Sequence, residues 1–234
     1  MTNRWFETAE LEQLSRPTMD RAIEAIDAGD LDTAKRLCAE MKHEWLMLHD
    51  LMAEGLLGLI SFVQDKLGDE GVGEAWDQST RKSWKRHSDA IGRMDRRELV
   101  YLLAATWRAH SASGVGEHPG AFKITEDDEK ITFEMNPCGS GQRLMRKGLY
   151  ENPGYGKTTE SHDWSYGRKD FPLYCTHCTF MNEKLPIEWS GYPVYPSDPP
   201  EDYSTDPCTW YWYKDPAAIP ERFYNRYGAV KPSA

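Results

Sequence analysis

The hydrophobic period of this chain changes near residue 112, and that change limits the fold more than any single motif. Up to that point apolar residues return every three or four positions, the spacing of one helix face. "TMDRAIEAIDAGD" at 18–30 follows it and stops at Gly29. Asp30 then caps a long helix over 31–68 that ends at Gly68. "EGVGEAWDQSTRKSWKRH" predicts a third helix. "DRRELVYLLAATWRAHS" predicts a fourth, with Asp95 as N-cap and Glu98 three residues on completing a capping-box pattern.

After "SGVGEHPG" the period falls to two. "AFKITEDDEKITFEMNP" alternates apolar and polar residues on both sides of an acidic turn, which predicts a β-hairpin. "CGSGQRLMRKG" reads as a Gly-rich turn entering a short helix, and 151–170 as a Gly/Pro/Ser-rich loop. "CTWYWYK" reads as a final strand, and the Pro-containing tail from 215 as surface wrapping. The expected class is α+β: an N-terminal helical layer packed on an antiparallel β-sheet, with a Cys-rich metal site in the β half. The expected organisation is a helical region 1–112, a β-rich Cys-containing region 113–214 and a C-terminal tail 215–234, integrated into one domain.

With 234 residues, 39% of them hydrophobic, the chain can bury a core without staples. Its formal net charge of −10 and lack of a basic block argue against nucleic-acid and anionic-membrane partners. The polar, acidic N-terminal stretch does not read as a signal peptide, and "GLLGLISFV" reads as too short to span a bilayer. The expected setting is therefore cytosolic, with reduced cysteines. The expected partners are a small-molecule substrate and, optionally, a second copy of the chain.

Four of five cysteines fall in the β half: Cys138, Cys175, Cys178 and Cys208. Cys138 and Cys208 each follow a proline, where turns let thiolates converge. Four thiolates, or three with His177, suit tetrahedral Zn²⁺. Two alternatives stand beside zinc. One is a redox dithiol at Cys175/Cys178, which "YCTHC" places ahead of a helix; the other is a set of plain buried thiols. An iron–sulfur cluster is a lesser option. Cys38, on the long helix, reads as core.

On that helix His49 lies with Trp45, Met52 and Leu56 on the apolar face, and Asp50 follows it. His49, Asp50 and His110 are the candidate acid–base residues, against the plainer readings of a core histidine and a dipole-favoured helix end. His43, Asp50 and Glu54 form a polar stripe that reads as a solvated face. "CGSGQR" at 138–143 can form an anion-binding nest with Arg143 nearby, or simply a turn. Aromatics crowd the last third; Trp164 in "DWSY" is the candidate among them for substrate contact, against a core role. There is no GxSxG, HExxH or P-loop.

The order of these elements over roughly residues 40–214 resembles the L-2-amino-thiazoline-4-carboxylic acid hydrolase-like family and, more distantly, 4-vinyl reductase-type small-molecule-binding domains. The resemblance rests on "ITEDDEKITFEM", "CGSGQRLMRKG", the second Cys segment and "PCTWYWY". The chain departs from the family in having Pro-Cys-Gly at 137–139 for Cys-Pro, in the 151–170 loop and in the CxxC. It implies a small-molecule-handling domain, often hydrolytic, with cysteines at the floor of a pocket between helices and sheet. The expected activity is a zinc-dependent hydrolase or lyase acting on a small cyclic or aromatic compound. The alternatives are a non-enzymatic binding or sensor domain with a structural four-cysteine zinc site, and a CxxC redox protein.

Overall fold

The computed structural model describes residues 5–112, 114–151 and 154–232. The start of the N-terminal stretch, one residue of the 113–120 connection, two of the 151–170 loop and the end of the tail lie outside them. The chain divides into two compact units, Met1–Leu48 and His49–Ala234.

In the first unit α1 (Thr8–Ser15) begins on a reciprocal cap between Glu7 and Glu10. Helix α2 (Thr18–Asp27) ends at Gly29, whose φ of 75° is a left-handed stop that favours glycine. Asp30 then accepts from the Thr33 N–H at 3.0 Å and opens α3 (Leu31–Ser83) as predicted. Cys38 is exposed, which corrects its reading as core.

Helix α3 is broken at Gly68 (φ 68°, ψ −171°), so the stop expected there is a kink between two helical segments. In the second unit α4 (Lys85–Ile91) and α5 (Arg96–Ser111) follow. Asp95 caps α5 by accepting from the Arg97 and Glu98 N–H groups. Strands β1 (Phe122–Glu126) and β2 (Lys130–Met135) form the predicted hairpin. Asp127 closes its turn by accepting from the Glu129 and Lys130 N–H groups, each at 2.9 Å. Helix α6 (Gly141–Arg146), helices α7 (Leu173–Thr179) and α8 (Leu185–Ser190), strand β3 (Ser197–Asp198) and strand β4 (Cys208–Tyr213) come next. Helix α9 (Arg222–Asn225) ends the fold.

The sheet is antiparallel in the order β1-β2-β4-β3, with Ile131 opposite Trp212, Phe133 opposite Trp210 and Met135 opposite Cys208. Alternate residues of β2 and β4 turn to one face, where they pack with Leu99 and Ala104 of α5. The α+β class and the antiparallel sheet are therefore as expected from the sequence.

Two readings are corrected. "YCTHC" does not precede a helix: Cys175 and Cys178 lie within α7, which continues through a π-helical turn, Phe180–Lys184, into α8. The tail is not a surface wrap either. Ile219, Phe223 and Tyr224 are almost fully buried, and Arg226 and Tyr227 hydrogen-bond the buried Glu183 at 2.7 and 2.9 Å. Burial raises the Glu183 pKa against the opposing pull of Arg226 and Tyr227.

Candidate functional site

The site is built around the turn that follows β2. Gln142 accepts from the Cys138 N–H at 3.0 Å through Oε1, and its Nε2 donates to the carbonyls of Tyr203 and Asp206 at 3.1 and 2.6 Å. That one side chain ties the 138–142 turn to the segment before β4. The neighbouring glycines are needed for close approach. A Cβ on Gly139 would lie 2.6 Å from Ser111 Cα, and one on Gly141 would lie 2.4 Å from Cys175 Sγ. Only glycine lets this turn press against α5 and α7, and doing so buries Ser140, which is 1% exposed.

Ser140 Oγ lies between two histidines, 2.7 Å from His49 Nε2 and 3.0 Å from His110 Nε2. The rings meet edge-on with centroids 5.4 Å apart. His49 Nδ1 is 3.4 Å from Asp50 Oδ1, and His110 Nδ1 is 2.7 Å from Ser111 Oγ. Arg143 grips Asp50 with both terminal nitrogens, Lys147 donates to it at 3.3 Å, and Arg143 Nε donates to the Glu117 carbonyl at 3.2 Å.

These partners orient the protons. A carboxylate only accepts, so His49 Nδ1 carries its proton toward Asp50 and Nε2 is bare. Ser140 therefore donates to His49 and accepts from His110 Nε2–H. His110 Nδ1 is then bare and accepts from the Ser111 hydroxyl. Both imidazoles are held neutral. Burial lowers the His49 pKa against the raising effect of Asp50, and burial with the nearby His49 and His177 takes His110 down to about 3. Asp50 stays ionised, because Arg143 and Lys147 outweigh the raising effect of its partial burial.

Ser140 and His110 stand in the wall of a cavity of about 510 Å³. Among the described residues its lining contains no Asp, Glu, Lys or Arg; aromatic, aliphatic and thiol side chains make most of it. Cys138, Cys175, Cys178 and Cys208 all line it, so sequence positions 138 to 208 do converge. Burial raises all four thiol pKa values. The backbone N–H groups that partly offset this at Cys138 do not reverse it. His177 donates through Nδ1 to the Tyr174 carbonyl, which leaves Nε2 bare, 3.5 Å from Cys178 Sγ. Cys178 is thus placed as a neutral S–H donor.

Among the described residues, no group of three or more His, Cys, Asp and Glu side chains is arranged to hold a metal ion. The four cysteines share a wall without forming the tetrahedral set that zinc requires. Nor do their raised pKa values give the thiolate that a reactive dithiol needs. The five cysteines are free thiols.

The sequence pointed to His49, Asp50, His110 and Arg143, and the fold brings all four together. Arg143 is a correction in role: it is 3% exposed and holds Asp50 and the Glu117 carbonyl, so it positions a neighbour and does not line the cavity. Asp50 is likewise not on a solvated face. Trp164 is core, packed against Phe180 and stacked on His162, and is absent from the cavity lining. Ser140 was missed. Its signal was a serine between two glycines in "CGSGQ", which reads equally well as an ordinary turn. Tyr203 Oη and Trp210 Nε1, on residues that line the cavity, are buried with only thiols beside them, Cys175 and Cys208. Comparison with protein-family models, with curated proteins and with solved structures gives no match.

Proposed function

We propose that this cavity is the active site of a hydrolase or related acyl-transfer enzyme for a small, uncharged, largely cyclic or aromatic compound. The observation that carries the reading is the placement of Ser140 Oγ 2.7 Å from the bare Nε2 of His49. Ser140 is the nucleophile. As its oxygen bonds to the acyl carbon, its proton passes to His49 Nε2, and Asp50, held by Arg143, stabilises the imidazolium. That proton then goes to the leaving group as its bond to the acyl carbon breaks. A water attacks the acyl-serine as His49 Nε2 takes its proton; the acyl–Oγ bond breaks, the acid leaves, and that proton returns to Ser140 Oγ. The His110 Nε2–H donates to Ser140 and orients its hydroxyl. The uncharged lining selects an uncharged substrate, since a charge moved there from water would find no counter-charge. Trp210 Nε1 and Tyr203 Oη, which have only the weakly accepting thiols of Cys208 and Cys175 beside them, suit acceptor atoms on it.

A second reading rests on the four thiols that line the cavity, the donor type that zinc and iron–sulfur clusters take. One experiment separates the two. The purified chain is treated with an aryl fluorophosphonate, its adduct is located by mass spectrometry, and its metal content is measured. The serine reading expects one adduct on Ser140 that is absent from Ser140→Ala, and a loss of turnover of about 10⁴-fold or more in that variant on small aryl esters. No adduct, together with stoichiometric metal, favours the second reading. No adduct, no metal and a ligand-raised melting temperature make the cavity a binding site only.

A further inference from the structure

Helix α3 is apolar on two sides. Ala53, Leu57 and Ile60 are 4%, 0% and 4% exposed and belong to the core. The other side carries Leu51, Met52, Leu59 and Phe62, at 72%, 65%, 62% and 57% exposed. Gly55 lies in the same row, and a Cβ there would meet nothing within 4 Å. From Leu51 to Val63 the one charged residue is Glu54, and Lys147 pairs with it. A helix with a single buried face normally turns polar residues to water. This one does not, so the second face is built to be covered.

We propose that it is covered by the same face of a second copy of this chain, with the two α3 helices packed antiparallel. Met52, Gly55, Leu59 and Phe62 follow each other at steps of three, four and three, the spacing of a helix–helix seam. A two-fold axis between Gly55 and Leu59 sets Gly55 of each copy opposite Leu59 of the other, and Met52 opposite Phe62. Each contact is then made twice, the isologous pattern of a two-fold dimer. The leucine enters the space the glycine leaves open. At about 100 Å² each, the four exposed side chains offer roughly 400 Å². That is about half of the ~800 Å² per partner of a standard interface. By length and composition α3 is apolar enough to cross a membrane. A lipid surface fits less well: the helix's other face is already core, and its flanks carry Glu54 and Asp65 on a chain of net charge −10.

The test is sedimentation equilibrium of the full chain at micromolar concentration, with binding to phosphatidylcholine/phosphatidylglycerol vesicles measured in parallel. The wild type is expected at about twice the chain mass of 26.9 kDa, without binding vesicles. Leu59→Glu is expected to be monomeric with the same far-ultraviolet circular dichroism. Gly55→Ala, a favourable change in an isolated helix, is expected to weaken the dimer at least tenfold by filling the space opposite Leu59. A wild-type monomer, a dimer that persists in Leu59→Glu, a Gly55→Ala dimer as tight as wild type, or vesicle binding abolished by Leu59→Glu each overturns the proposal.

Discussion

Ser140 Oγ and His49 Nε2 approach to 2.7 Å across 91 positions of sequence, and neither residue has much reach to spare. Ser140 is held by a glycine-flanked turn and His49 by a helix, so the contact reports how closely that turn is set against α3. The proposed chemistry depends on this distance.

Removing the carboxylate behind His49 should cost both activity and stability. Asp50→Asn leaves Arg143, 3% exposed, without its ion-pair partner and frees His49 to change tautomer. A loss of about 3 kcal/mol in urea unfolding is expected. A second expected effect is a fall in turnover on small aryl esters larger than the folded fraction explains. Arg143→Met should destabilise similarly. An Asp50→Asn protein with unchanged stability and rate would remove Asp50 from the site.

Acid should weaken the fold through His110, beside His49 and His177, whose pKa values burial also lowers. Its folded pKa of about 3 lies below the ordinary 6.5, so protons favour the unfolded chain. Its contribution is complete above pH 6.5 and is lost as pH falls from there toward 3. The slope for this one group is at most about 1.4 kcal/mol per pH unit. Urea melts from pH 4 to 7 on wild type and His110→Asn should show a flatter dependence in the variant. Equal slopes would mean that another group sets the acid response.

Asp69 anchors the loop that the sequence left irregular. It accepts from Thr159 N at 2.7 Å, Glu160 N at 3.1 Å, Gln64 Nε2 at 2.8 Å and His162 Nε2 at 3.0 Å. Burial alone would raise its pKa; these donors prevail and bring it to about 2. Its contribution is present above 3.8 and lost as pH falls toward 2, a window lower than that of His110. Asp69→Ala should cost about 2–4 kcal/mol by leaving several buried donors unpaired. It should also speed amide exchange at Thr159 and Glu160; unchanged exchange there would contradict the anchoring role.

Thiol chemistry should divide the cysteines by location. Cys38 is exposed, while the four cavity thiols are half-buried and kept protonated by their apolar surroundings. In native protein one thiol should react with a charged disulfide reagent within seconds, and four should react on the time scale of unfolding or opening. Fast modification of Cys175 or Cys178 would support the redox alternative over a neutral wall.

Periodicity carried the local structure. The caps at Asp30 and Asp95, the stop at Gly29 and the Asp127 turn of the hairpin act through neighbours within a few residues, so the sequence alone determines them. The functional candidates His49, Asp50 and His110 were legible because histidines and an acid beside an apolar helix face are chemically conspicuous. Ser140 was not, because a Gly-Ser-Gly turn becomes a site only when two helices distant in sequence bring their imidazoles to it. The cysteines show the other side of the same limit. Their spacing suggested convergence and all four do reach one cavity, but spacing cannot say which way the sulfurs point. The tail and Trp164 were decided last, by packing. Proline and aromatic content fits either a surface strap or a core, and only the partners supplied by the rest of the fold, Glu183 for the tail and Phe180 for Trp164, select between them.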